Sequence, residues 1–167
     1  MIIIGTRKRV NNPSEIADQY AAAALQDENA AKELQEKGFY NQSGYFYIQA
    51  MEKYIKCQIT RKIDAMNPFF AEKISRSLGH SLNESVALLV EVYTGNDTSM
   101  AEQMNQQIST NILKDINFRG LHNMLRYPTY SSRYGNYTTL TFSANECVML
   151  KKVLDSLKSY LKDFHRL

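Results

Sequence analysis

What most constrains this chain is a helix-start signal that recurs along it. Four times a capping side chain stands three residues ahead of a glutamate and just before a periodic apolar run: Asn12/Glu15, Ser81/Glu84, Ser99/Glu102 and Ser143/Glu146. At such a site the cap side chain accepts a hydrogen bond from the third helical N–H, and the glutamate reaches back to the cap's own N–H. Free donors of the first turn are thereby satisfied. Pro13 follows Asn12 at the position where a missing N–H costs nothing. The pattern predicts an all-α chain, an up-and-down bundle of four to five helices.

Stops divide the chain further. A first helix is expected from about Pro13 to Lys37, ending at Gly38, and a second from near Asn41 to about Ala65, with Tyr47, Met51, Tyr54 and Ile55 at helical spacing. So short a joint makes the two antiparallel neighbours. Asn67-Pro68 opens a short segment ending at Gly79; a third main helix covers "LNESVALLVEVY", and a fourth runs from Met100 to about Leu125, ahead of Pro128. The last, from Ala144 to about Phe164, is expected to place Val148, Leu150, Val153, Leu154, Leu157 and Leu161 on one apolar face. No segment alternates long enough for a convincing strand, although "NYTTLTF" (136–142) is composed to be locally extended. The expected organisation is a short arm, residues 1–12, and one domain, 13–167.

The net charge of +3 gives little direction, because Arg7, Lys8 and Arg9 account for all of it. That arm reads as a solvated terminus. Cys57 and Cys147 lie far apart with no metal-type spacing, as buried small hydrophobes of a reducing compartment would. No stretch has the length of a membrane span or the order of a secretory signal, so a cytoplasmic protein without membrane contact is expected. Phosphate-binding glycine loops, HExxH, GxSxG and EF-hand loops are all missing, and Glu52 and Glu91 lack an ExxH partner. Neither a cofactor nor a metal is expected.

Two features carry possible chemistry. On a continuous fourth helix, Asp115, Arg119, His122 and Arg126 share one stripe, continuing the line of Ile108 and Ile112. Such a stripe reads either as an Asp115–Arg119 ion pair with His122 at a helix end, or as an Arg/His cluster that holds phosphate. The second feature is the stretch from Ile116 to Asn145, which has no acidic residue but contains Arg119, His122, Arg126, Arg133 and Tyr127, Tyr130, Tyr134 and Tyr137. Arginine for phosphate and tyrosine for base stacking suit single-stranded RNA. The simpler expectation is that these tyrosines pack a long connection onto the helices. His165 reads as a solvated terminus, and His80 as a loop histidine at a helix end.

Several stretches in order, "GFYNQSGYFYIQAMEKYIKCQI" (38–59), "GHSLNESVALLVEV" (79–92), "LRYP" (125–128) and the closing helix, resemble the HEPN family (higher eukaryotes and prokaryotes nucleotide-binding). The motif positions are Gly38, Tyr40, Gln49, Ala50, Glu52 and Lys53, then His80 and Leu82, then Arg126, Tyr127 and Pro128. The resemblance implies a helical bundle that forms a homodimer and works around nucleotides or RNA. It also implies either a toxin-like ribonuclease of toxin-antitoxin type or a partner of a nucleotidyltransferase-like protein. In the family the cleaving arginine and histidine have four to six residues between them; here Arg76 and His80 leave three between them, and Arg119 and His122 leave two.

Three readings follow. The first is a non-catalytic HEPN-like module that binds nucleotide or RNA, or docks on a nucleotidyltransferase-like partner, through Arg126, Tyr127, Tyr130 and Arg133. The second is a metal-independent ribonuclease in which His122 moves the proton and Arg119 stabilises the phosphate. The third is a structural dimeric interaction protein with the polar stripe at its interface.

Overall fold

The structure, a computed structural model, describes residues 5, 9–10, 12–74 and 81–164 of the chain. Arg7 and Lys8 of the arm, Arg76, the end of the short segment at Gly79, His80 and His165 lie outside the described residues.

The elements run α1 (Pro13–Glu36), α2 (Tyr40–Lys62), α3 (Pro68–Glu72), α4 (Leu82–Thr94), α5 (Thr98–Gln106) continued by a π-helical turn (Gln107–Ile112), α6 (Leu121–Met124), β1 (Thr129–Ser131), β2 (Asn136–Thr138) and α7 (Ala144–Asp163). Three of the anticipated starts form as caps: Asn12 accepts from the Ser14 N–H, Ser81 accepts from the Glu84 N–H, and Ser143 and Glu146 make both halves of a capping box. The fourth start is corrected. Asp97 caps α5 instead of Ser99, accepting from the Met100 N–H at 2.9 Å. An aspartate at this place adds its charge to the positive end of the helix, which a serine lacks.

The joint between α1 and α2 is three residues long, and Gly38 takes the left-handed conformation (φ 79°). The Phe39 N–H reaches back to the Leu34 carbonyl at 2.9 Å, closing the end of α1. Helix α2 then packs against α1 on one side and α4 and α7 on others, so it is buried nearly all round. Tyr47, Met51 and Ile55 are fully buried in it, and Ile108, Leu150, Leu154 and Leu157 close the core from the π-helical turn and α7. On α7, Val148 is 42 % exposed, against the expectation, and Cys147 takes its place inside. The reason is angular: at about 100° per residue, position 148 points away from the line of 150, 154, 157 and 161. Cys57 and Cys147 are both buried and free.

Burial all round forces α2 to satisfy its polar side chains within the bundle. Ser43 donates to the Ala31 carbonyl (2.8 Å), Gln58 to the Leu161 carbonyl (2.8 Å), and Lys56 pairs with Glu52 (2.7 Å). Among the described residues no buried side-chain nitrogen or oxygen lacks a partner.

Near its start α2 makes room for the chain that enters α7. A Cβ on Gly44 would stand 2.5 and 2.7 Å from two ring carbons of Phe142. Gly44→Ala is therefore expected to lower stability by about 1–3 kcal/mol through overpacking, despite the roughly 1 kcal/mol that alanine gains as a helix former. Urea denaturation checks this, and a stabilised variant would show that the Phe142 ring moves aside at no cost.

The expected fourth helix does not exist as one piece. After Ile112 the Leu113 N–H bonds to the Ile108 carbonyl, and the Asp115 N–H to that of Ser109. Lys114 and Asp115 then take φ of 56° and 53°, in the left-handed region, which ends the helix. Asn117 accepts from the Arg119 N–H at 3.0 Å, and Gly120, left-handed at φ 70°, restarts the chain into the short α6. Short polar side chains that compete for the backbone, with a glycine behind them, end what the apolar period alone would prolong.

Candidate nucleic-acid interface

Loss of the continuous helix removes the common stripe. Ile108 and Ile112 do face the core, but Asp115 turns back to accept from Thr110 Oγ1 (3.1 Å) instead of pairing with Arg119. Arg119 sits exposed on the turn before α6, and His122 lies half-buried in α6 itself. The left-handed residues Lys114, Asp115 and Gly120 break the periodicity that aligned Asp115 and Arg119 with His122 and Arg126, so the four no longer share a face.

Instead, Arg126 is brought together with tyrosines. The Arg126 guanidinium carbon lies 5.1 Å from the Tyr45 ring centre and 4.9 Å from that of Tyr127, and Nη2 donates to the Tyr127 hydroxyl at 2.9 Å. A guanidinium over two aromatic rings keeps further N–H donors for an anion. Tyr45 comes from α2 and Arg126 from the turn after α6, so the cluster joins two elements far apart in sequence. With Leu125, Asn41 and Gln42 these residues line an open cleft of about 400 Å³.

Beyond the cleft stands the hairpin. Thr129, Tyr130 and Ser131 face Thr138, Tyr137 and Asn136, and a turn between them closes with the Gly135 N–H on the Ser131 carbonyl and Gly135 at φ 64°. Tyr130 and Tyr137 are directly opposed and meet edge to face at 5.4 Å. Arg133 at the tip lies 5.5 Å from the Tyr134 ring. The two legs of the hairpin return to the start of α2. Asn41 fixes the outgoing leg, with Nδ2 donating to the Leu140 carbonyl (3.0 Å) and Oδ1 accepting from the Phe142 N–H (2.7 Å).

Exposure decides between the two readings of the tyrosines. Tyr127, Tyr130, Tyr134 and Tyr137 are 56, 56, 66 and 71 % exposed, so the expectation that they pack the connection onto the core is overturned. Leu125, Leu140 and Phe142 do that instead. Both strands of the hairpin face solvent, with Ser131 alone partly covered.

Of the sequence-derived candidates, Arg126 and Tyr127 meet in the cleft, and Tyr130 and Arg133 lie on the adjoining hairpin. Sequence reasoning missed Tyr45, Asn41 and Gln42. The signal was present in "YFY" at 45–47: with Tyr47 turned inward, Tyr45 points about 200° away. Among the described residues no three His, Cys, Asp or Glu side chains gather where they would hold a metal ion, and no helix is long and apolar enough to cross a membrane. No protein-family model, curated protein or solved structure matches the chain.

Proposed function

We propose that this chain is a HEPN-like module that binds single-stranded RNA or nucleotides without cleaving them. The observation that supports this most is the Tyr45–Arg126–Tyr127 stack beside a hairpin with exposed tyrosines and Arg133, in a stretch free of acidic residues from 116 to 145. Exposed aromatic faces accept bases of any sequence, and arginines accept the phosphates between them. A hairpin needed only for packing has no use for three solvent-facing tyrosines, Tyr130, Tyr134 and Tyr137.

The test is retention of labelled single-stranded RNA on a gel over a range of salt. Arg119→Ala and Arg133→Ala are each expected to weaken retention severalfold and to reduce the salt slope by about 0.7, the value for one phosphate contact on a single strand. Both arginines are exposed, so neither change should unfold the protein. Unchanged affinity and slope in both variants overturn the site. RNA is expected to come back intact; cleavage that disappears in His122→Ala would replace the binding module with a ribonuclease.

A further inference from the structure

The hairpin reaches the bundle by two legs. The incoming leg is part of the cleft, because Tyr127 stands two residues before Thr129 of β1. The outgoing leg, residues 140–142, makes no backbone-to-backbone hydrogen bond among the described residues. A single side chain takes the place of such bonds. The Asn41 amide donates to the Leu140 carbonyl (3.0 Å) and accepts from the Phe142 N–H (2.7 Å), holding the leg as a neighbouring strand would from 99 and 101 residues away in sequence. Leu140 and Phe142 also pack on the core, but apolar contact is non-directional and does not set how the leg is placed along α2. Asn41 is half-buried in the first turn of that helix, one turn ahead of Tyr45 in the cleft wall. With its nitrogen and its oxygen both engaged by the leg, it acts on a ligand through the placement of the hairpin.

We infer that Asn41 is a positioning residue that makes the cleft and the hairpin one site for a single strand. It fixes Tyr130, Arg133 and Tyr137 of the hairpin at a set reach from Tyr45, Arg126 and Tyr127 of the cleft. This rests on the RNA-binding reading above and adds to it how far the site extends and what joins its halves. Two contact areas on one rigid frame act together on one strand: once the first nucleotides are held, those that follow meet the second area at a high effective concentration. A leg without its clamp spreads the hairpin over many positions, and binding must then order it, which lowers that concentration. The signature of Asn41 is therefore the advantage of a long strand over a short one.

The experiment is fluorescence anisotropy with a uridine tetramer and a uridine dodecamer, and the quantity read is the ratio of the two affinities within each protein. The registers that a dodecamer offers to a tetramer-sized site account for roughly a ninefold ratio without any second contact. Wild type is expected to reach at least about fiftyfold, and Asn41→Ala to give a ratio at least about threefold lower. A merely structural loss reduces the folded fraction, which weakens both oligomers alike and leaves the ratio as in wild type. Asn41→Leu keeps a side chain of similar volume without its polar atoms and is read in the same way where the alanine variant does not fold. A wild-type ratio near ninefold, or a ratio in the variant equal to that of wild type, overturns the inference and leaves the RNA-binding reading standing. Failure of wild type to bind the dodecamer overturns both.

Discussion

Glu28→Ala is expected to lower the free energy of unfolding by about 3 kcal/mol, measured by urea denaturation at neutral pH. The Glu28 side chain is 3 % exposed and takes three hydrogen bonds: from Lys32 (2.7 Å) on α1, Tyr54 (2.9 Å) on α2 and Lys158 (2.7 Å) on α7. One carboxylate thus ties three helices together. Removing it leaves two ammonium groups and a hydroxyl without their acceptor, and breaking a buried pair from one side costs about 3–5 kcal/mol. Lys32 and Lys158 are 39 and 29 % exposed and can turn to water, which places the loss at the lower end. Burial by itself works to raise the Glu28 pKa, but hydrogen bonds from Lys158, Lys32 and Tyr54, with the Lys158 charge, outweigh it and hold the carboxyl at about 2, down from 4.5. The folded value lies below the unfolded one, so the stabilisation is complete above pH of about 4.5 and is lost as pH falls toward about 2. In that window wild type should lose stability more steeply than Glu28→Gln. Parallel slopes, or a loss below 1 kcal/mol in Glu28→Ala, would mean that water already shares this carboxylate.

Such a network is the kind of feature that a sequence hides. Nothing local in the sequence separates Glu28 from Asp27 and Lys32, and only the approach of α2 and α7 shows that Glu28 takes bonds from three helices. What could be read in advance were local signals with a local cause. Asn12, Ser81 and Ser143 marked helix starts because capping is decided within one turn, and Gly38 marked a stop because its backbone must be left-handed. The break after Ile112 was missed because Ile108 and Ile112 continue the apolar period, while the turn depends on Asn117, Gly120 and two left-handed residues that period counting ignores. Arg126, Tyr127, Tyr130 and Arg133 were singled out by a stretch rich in arginine and tyrosine and free of acidic residues, with Arg126 also assigned to a helical stripe. The wrong geometry was attached to them, since their neighbours lie on α2 and across a hairpin, both non-local.

Arg126→Ala should have the largest effect on RNA retention, at least about tenfold, because it removes three things together. A positive charge is lost from a cleft with no acidic residue in its lining; the partner of the Tyr45 and Tyr127 rings goes; and so does the bond to the Tyr127 hydroxyl at 2.9 Å. Stacking on one ordered aromatic is worth about 1–3 kcal/mol per base, and 1.4 kcal/mol is a factor of ten. Stability should change by less than about 1 kcal/mol, since the guanidinium is exposed and an exposed cation–ring contact is worth about 0.5–1 kcal/mol. Arg126→Lys separates charge from shape. A lysine keeps the positive charge, and so should restore the salt slope, but its compact ammonium cannot cover both rings and donate to the Tyr127 hydroxyl as the guanidinium does. The lysine variant is therefore expected to fall between wild type and alanine in affinity while matching wild type in salt dependence. Full recovery of affinity with lysine would show that the cluster contributes charge only and that bases do not stack on Tyr127. An alanine variant that binds as wild type would remove the cleft from the interface and leave the hairpin as the remaining place to look.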